Sequence, residues 1–264
     1  MSAITPRSQG VRAAFYLAPP ILSLVAFIAF WQFYVWYFAV SNFILPSPLR
    51  IVQAGINLGS GLWPHVWTTT YEILLGFLFG NLFAVALAYA IVRWLLAERI
   101  VYPFLIVSQT VPKLAVAPLL VIWFGTGVLP KIIVTALVCF FPTAVNVVQG
   151  LRSADPNALD LVRMVTSSKR VMFQKVQFPS SIPYFFAGLK ISMAAAVIGA
   201  IVAEWVGASN GLGYLILYGG TSMRTDLMFL AVTMTVILGM LLYGAVGLAE
   251  RRFSWRVTDV TTTT

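Results

Sequence analysis

The sequence predicts an all-α, polytopic membrane bundle of about six transmembrane helices. Three observations carry that reading. The 264 residues are 60% hydrophobic and only 9% charged, with a mean hydropathy of +0.90, whereas soluble domains carry about a quarter charged residues. The apolar residues fall in runs long enough to span about 30 Å of hydrocarbon, which takes about 20 residues per helix. The basic residues cluster between those runs and do not form one stripe. Together these observations leave no room for a separate soluble catalytic domain and describe one membrane domain over residues 1–264.

The net charge of +9 does not point to nucleic acid, because its distribution is that of the positive-inside bias. Arg7, Arg12, Arg93, Arg99, Arg152, Arg163, Lys169, Arg170, Lys175, Arg251, Arg252 and Arg256 fall on one side. Only Arg50, Lys131 and Arg224 fall on the other, with Lys113 and Lys190 inside spans. Both termini and the loop before the fifth span are therefore expected in the cytoplasm. The lone Cys139 excludes an intrachain disulfide, and the lone His65 argues against a histidine-based metal site.

The first span is read over Ala13 to Val40. Its apolar stretch exceeds the 7–15 residues of a signal-peptide core, so it is taken as retained despite the weak cleavage-like Ala39-Val40-Ser41. Pro46, Pro48 and the Gly59-Ser60-Gly61 turn bracket a short amphipathic helix, Leu49 to Leu58. The second span, Trp67 to Val92, contains Gly76 and Gly80 at the GxxxG spacing that admits a close neighbour. The third, Val101 to Phe124, is interrupted by Pro103, Pro112 and Pro118, with Lys113 beside the middle break. Freed carbonyls in hydrocarbon are tolerated only against protein or a water-lined cavity, so this segment belongs inside the bundle. Ser108, Gln109, Pro112 and Lys113 are accordingly candidates for lining a path. Spans four to six are read at Leu129 to Gly150, Tyr184 to Val206 and Leu227 to Leu248.

The longest polar stretch, residues 151–183, precedes span five. From Asp160 to Arg170, Leu161, Met164 and Val165 share one helical face, while Arg163, Ser167 and Arg170 share another. A surface helix and a solvated basic loop both fit that pattern. Glu72 and Glu204 lie within apolar spans, where a charge is functional by default. Either they couple protons, or they are carboxylates near the outer boundary bonded to a neighbouring span. Lys113 and Lys190 are possible partners for them.

The polar stretch resembles the cytoplasmic motif E-A-A-x3-G-x9-I-x-L-P of importer permeases of the ATP-binding-cassette superfamily. The motif falls on Asp160-Leu161-Val162, Thr166 and Val176-Gln177-Phe178-Pro179, keeping the acid, the spacing and the proline; Thr166 replaces the usual glycine. Leu45-Pro46-Ser47-Pro48, the stretch from Gln109 to Gly127, Phe140-Phe141-Pro142, Gly150-Leu151-Arg152-Ser153, Ile201-Val202-Ala203-Glu204, Asn210-Gly211-Leu212-Gly213-Tyr214 and the closing Glu250-Arg251-Arg252 with Trp255 also resemble this group. They are similar to the branch serving nitrate, sulfonates, taurine, thiamine-pyrimidine precursors and riboflavin. The stretch from Gln109 to Gly127 is nearer the vitamin-precursor types.

The resemblance implies a type I importer fold and a core of two permease copies. It also implies two ATPase subunits that bind ATP and magnesium, and an extracytoplasmic substrate-binding protein. This chain is then a transport subunit and not an enzyme, with no cofactor of its own. No G-x-x-x-x-G-K-[ST] phosphate loop occurs in it. Asp160, Leu161, Val162, Arg163, Met164, Thr166, Ser167 and Pro179 would couple it to the ATPase. Ser108, Gln109, Pro112, Lys113 and Glu204 are the path candidates. The alternative is a proton-coupled secondary transporter using Glu72 or Glu204.

Overall fold

In a computed structural model of the chain, which describes residues 7–258, every regular element is helical among the described residues. The helices are α1 (Arg7–Tyr37), α2 (Pro48–Leu58), α3 (Leu62–Arg93), α4 (Leu95–Val107), α5 (Ala117–Phe124), α6 (Val128–Arg152), α7 (Pro156–Val165), α8 (Lys169–Met172), α9 (Phe178–Glu204), α10 (Leu212–Thr221) and α11 (Thr225–Thr258). Among the described residues, five stretches are long and apolar enough to cross a membrane. A sixth arises if the bent pair Leu95–Thr110 and Lys113–Phe124 is one broken span. The side chains of Arg7, Arg12, Trp255 and Arg256, used in the sequence reading, lie outside those described.

The chain forms two compact units. The first holds α1, α2 and residues 216–230. Pro48 opens α2 with its φ already helical, and the Ser47 hydroxyl caps it by accepting the Arg50 N–H at 3.4 Å. The Gln32 side chain of α1 accepts the Leu49 N–H at 3.3 Å. Trp31 meets the Phe229 ring with centroids 6.0 Å apart, and the Thr225 hydroxyl donates to the Asn42 carbonyl.

The second unit, Trp63–Leu215 with the chain from Ala231, has α3, α6 and α9 at its centre. The closeness of α3 to α6 follows from glycine. A Cβ on Gly80 would lie 2.5 Å from the Ala136 carbonyl oxygen, and one on Gly76 would collide with Thr135. The GxxxG spacing is thus a working contact, and only bare backbone fits it. One core joins Ala84, Ala88 and Ile91 of α3 to Leu105 of α4 and to Phe140, Ala144, Val147 and Val148 of α6. A second joins Ile73, Cys139, Met193, Ala196 and Ala200.

An amide pins the three helices together. Asn81 is buried on α3, and its Oδ1 accepts from Thr143 of α6 and from Ser192 of α9 at 3.0 Å. Its Nδ2 donates to the Phe77 carbonyl at 2.6 Å. Every polar atom of that amide is occupied on at least one side, as burial in an apolar bundle requires.

The third span is broken where its prolines lie. The two halves meet at 87°, and the carbonyls freed around Pro112 are met by side chains from the same segment. Ser108 Oγ donates to the Leu105 carbonyl at 2.8 Å, Thr110 Oγ1 to Val107 at 2.7 Å, and Lys113 Nζ to Gln109 at 3.2 Å. This local repair makes a break tolerable at membrane depth.

Three sequence expectations need correction. The segment from Asp160 to Arg170 is not one helix: α7 spans Pro156–Val165, and Thr166 is extended at φ −152°, ψ 139°. The region between the fifth and sixth spans contains a further helix, α10, that the six-span reading did not include. Lys131, counted with the basic residues of the far side, lies buried in the first turn of α6.

Candidate translocation and coupling sites

Two clusters and one exposed helix carry the polar chemistry of the second unit. The first cluster lies where α3 and α6 begin and α9 ends. Glu204 is 1% exposed and Glu72 is fully buried. Glu204 Oε1 accepts the Thr69 hydroxyl at 2.6 Å, and its Oε2 accepts the Gly213 N–H at 2.5 Å. The Thr69 oxygen in turn accepts the Leu212 N–H at 2.7 Å, and His65 Nδ1 accepts the Gly211 N–H at 3.1 Å. Lys131 Nζ stands 3.3 Å from Glu72 Oε1.

Three successive backbone donors, Gly211 to Gly213, are therefore clamped by side chains of α3 and α9. The glycines are required by space. Gly211 has φ +122°, and a Cβ there would strike the Glu204 carboxylate. A Cβ on Gly213 would lie 2.6 Å from the Ile201 carbonyl oxygen. From Glu72 to Arg93 the helix rises roughly 30 Å at 1.5 Å per residue. That matches the hydrocarbon thickness, so about one membrane thickness of helix separates this cluster from the basic end. The Glu204 carboxylate is bonded to a neighbouring span through Thr69 of α3. Thr69 and Lys131 were missed in the sequence. Thr69 has a usable signal, since it stands three residues before Glu72 and shares its helical face.

The second site is a cavity of about 440 Å³ beside the break of the third span, lined by Gln109 and Lys113 with Phe141, Asn146 and Ile191 among its walls. Lys113 Nζ lies 4.4 Å from the Phe141 ring centroid, and no carboxylate pairs with it among the described residues. Lys190, the other lysine considered as a partner for Glu72 or Glu204, is paired with Glu250 instead. Of the sequence candidates, Gln109 and Lys113 line this cavity; Ser108 and Pro112 build the break, and Glu204 belongs to the first cluster.

The third feature is α7. Pro156 occupies its first turn, and the Asp155 carboxylate caps it by accepting the Asn157 N–H at 2.9 Å. Ala158, Leu159 and Val162 are half-buried along one face. Leu161, Met164 and Val165, helical neighbours on another face, are 65%, 84% and 88% exposed. Asp160 and Arg163 form an exposed ion pair at 2.8 Å within the helix. The Thr166 hydroxyl accepts the Ser168 N–H at 3.2 Å. Because Thr166 is extended, its position has no need of glycine's left-handed freedom. Ser167 lies beyond the helix, and Pro179 opens α9 after the π-turn Phe173–Gln177.

At this end Arg152 reaches Glu98 at 2.8 Å and stacks 4.5 Å from the Tyr102 ring, tying α4 to α6. Among the described residues no three His, Cys, Asp or Glu side chains converge as a metal site.

A broken, helical membrane bundle with a clamped loop at one end and a free amphipathic helix at the other has the parts of a transport permease. Comparison with known proteins places it more narrowly. Residues 80–255 match the family of inner membrane components of binding-protein-dependent transport systems. The chain is similar to a probable ABC transporter permease of Haemophilus influenzae, 36% identical over 91% of this chain and 98% of that one. It is also similar to a formylaminopyrimidine transport permease of Halalkalibacterium halodurans (36% identical, 81% of this chain and 86% of that one). A riboflavin transport permease of Chloroflexus aurantiacus is 35% identical, with 87% of each chain covered. The chain belongs to the binding-protein-dependent ABC importer permeases, as a multi-pass inner membrane protein with the type I helical bundle.

Proposed function

We propose that this permease imports a small water-soluble nutrient of the vitamin or vitamin-precursor kind, driven by ATP hydrolysed on separate subunits, and that α7 is its coupling helix. The observation that carries this reading is the bare apolar face of α7. Leu161, Met164 and Val165 lie side by side on a short helix between the spans, and neighbouring exposed apolar side chains mark an interaction surface. Helix-in-groove docking places such a face in a partner's cleft, with anchors at i, i+3 and i+4.

Two ATPase subunits holding ATP and magnesium, a second copy of this permease and an extracytoplasmic binding protein complete the assembly. The whole chain, residues 1–264, acts as one permease domain, with both termini and residues 151–183 in the cytoplasm. Asp160, Val162, Arg163, Thr166, Ser167 and Pro179 position the docking helix, Val162 from its half-buried face, while Leu161, Met164 and Val165 supply its bare apolar surface. Ser108, Gln109, Pro112 and Lys113 form the path at the break, and Glu204 holds the outer loop. Relatives that carry formylaminopyrimidine and riboflavin support the vitamin-type substrate; relatives for aliphatic sulfonates share less identity, at 32% and 30%.

A photo-crosslinker placed at Met164 should capture the ATPase subunit in the assembled transporter, whereas one at Ala158 on the half-buried face should not. Capture at Ala158 but not Met164 would overturn the docking geometry.

A further inference from the structure

The cavity beside the broken span combines a mostly apolar wall with donors gathered at one place. Lys113 donates one N–H to the Gln109 carbonyl at 3.2 Å and lies against Phe141. An ammonium has three such donors, so others are left for a ligand. Asn146 Nδ2 donates to the Pro142 carbonyl at 2.7 Å, leaving its second N–H and its carbonyl oxygen. The Gln109 amide is exposed at the cavity edge. Phe141, Val138, Val145 and Ile191 supply the apolar wall.

We infer that this cavity is a transient binding site for a small planar heterocycle whose carbonyl or ring-nitrogen acceptors face Lys113, Gln109 and Asn146 while its ring lies along the apolar wall. The inference rests on the reading of this segment as the translocation path. Three physical arguments select the class. An ammonium with no carboxylate beside it repels cationic solutes. A small, strongly hydrated anion would surrender its water to one ammonium and a mostly hydrocarbon wall, which leaves most of its oxygens unmet. A flat ring bearing acceptors satisfies both halves at once, the pattern of ligand pockets lined by apolar and aromatic groups with a few placed polar ones. The volume of about 440 Å³ falls within the range of roughly 300–1,000 Å³ usual for such ligands. The site is weakly built, with one cation and two amides, as a carrier needs if its load is to leave again.

The test uses the assembled transporter in proteoliposomes, resting and ATP-trapped, with the buried Cys139 replaced by Ser and a single reporter, Ala195→Cys, in the cavity wall. Thiol labelling is measured with riboflavin, an aminopyrimidine or butanesulfonate present. Riboflavin or the aminopyrimidine should slow labelling. Lys113→Met should raise the concentration needed at least tenfold, and Gln109→Ala, at an exposed side chain, about threefold. Protection by butanesulfonate alone would overturn the heterocycle class while leaving the path intact. Labelling that none of the three slows would overturn the site. A reporter that never labels in either nucleotide state would overturn the path reading itself.

Discussion

Replacing Glu204 should loosen the outer loop before it disturbs the bundle. Its carboxylate accepts the Thr69 hydroxyl at 2.6 Å and the Gly213 N–H at 2.5 Å in a site only 1% exposed. Glu204→Ala orphans the Gly213 donor, at about 1–3 kcal/mol, and removes a charge-assisted bond to Thr69 worth about 1.5–3 kcal/mol. The Thr69 hydroxyl can turn to its own helix's carbonyls, and removing one of two adjacent buried carboxylates relieves repulsion on Glu72. Both effects pull the cost to the low end, about 3 kcal/mol. Glu204→Gln keeps an acceptor and should cost about half as much. Hydrogen exchange of residues 207–213 reads the local effect: about 3 kcal/mol is roughly a hundredfold faster exchange. Exchange in the core stretch 84–91 should stay within a fewfold. If Glu204→Ala leaves loop exchange within twofold of the parent, the carboxylate does not hold that loop.

Other outcomes follow from the same geometry. Lys131→Met leaves Glu72 buried without its cation and should destabilise the bundle by about 3–5 kcal/mol, and adding Glu72→Gln should recover most of it; equal losses in single and double variants would deny the pairing. Gly213→Ala pushes a Cβ to 2.6 Å from a backbone oxygen, whereas a Cβ on Gly127 meets nothing within 4 Å. Folded yield in detergent should therefore fall sharply for the first and not for Gly127→Ala. A cysteine at Ser168 should label only from the cytoplasmic side, and labelling of intact cells by an impermeant reagent would invert the topology.

How far the sequence carried differs by element. The spans were legible because hydropathy over about 20 residues is a one-dimensional signal, and Gly76 with Gly80 announced a close contact that the structure places against Thr135 and Ala136. The broken span was legible from its prolines. Lys131 was not, because at the start of the fourth span it counts as one more far-side charge; only its contact with Glu72, 59 positions away in the chain, shows its role. The Asn81 pin was missed for the same reason, since its partners Thr143 and Ser192 lie on other helices. For α7 the amphipathic period was visible, but the end at Val165 depends on Thr166 turning extended, which the period alone does not reveal. Which apolar face of α7 is bare also depended on tertiary packing, which half-buries Ala158, Leu159 and Val162 and leaves Leu161, Met164 and Val165 uncovered.

The coupling role of α7 is tested most directly by charging its bare face. Leu161→Asp with Met164→Asp changes two side chains that touch little of this chain, so the bundle should insert and fold as before; surface substitutions usually cost under about 0.5 kcal/mol. Buried in a partner's apolar groove, the same two carboxylates are strongly unfavourable. The measurement is co-purification of the ATPase subunit together with ATP-dependent uptake into proteoliposomes whose proton gradient has been collapsed. The expected result is a parent that retains both and a double variant that loses both while remaining folded. A double variant that holds its ATPase and transports at the parental rate would contradict the account.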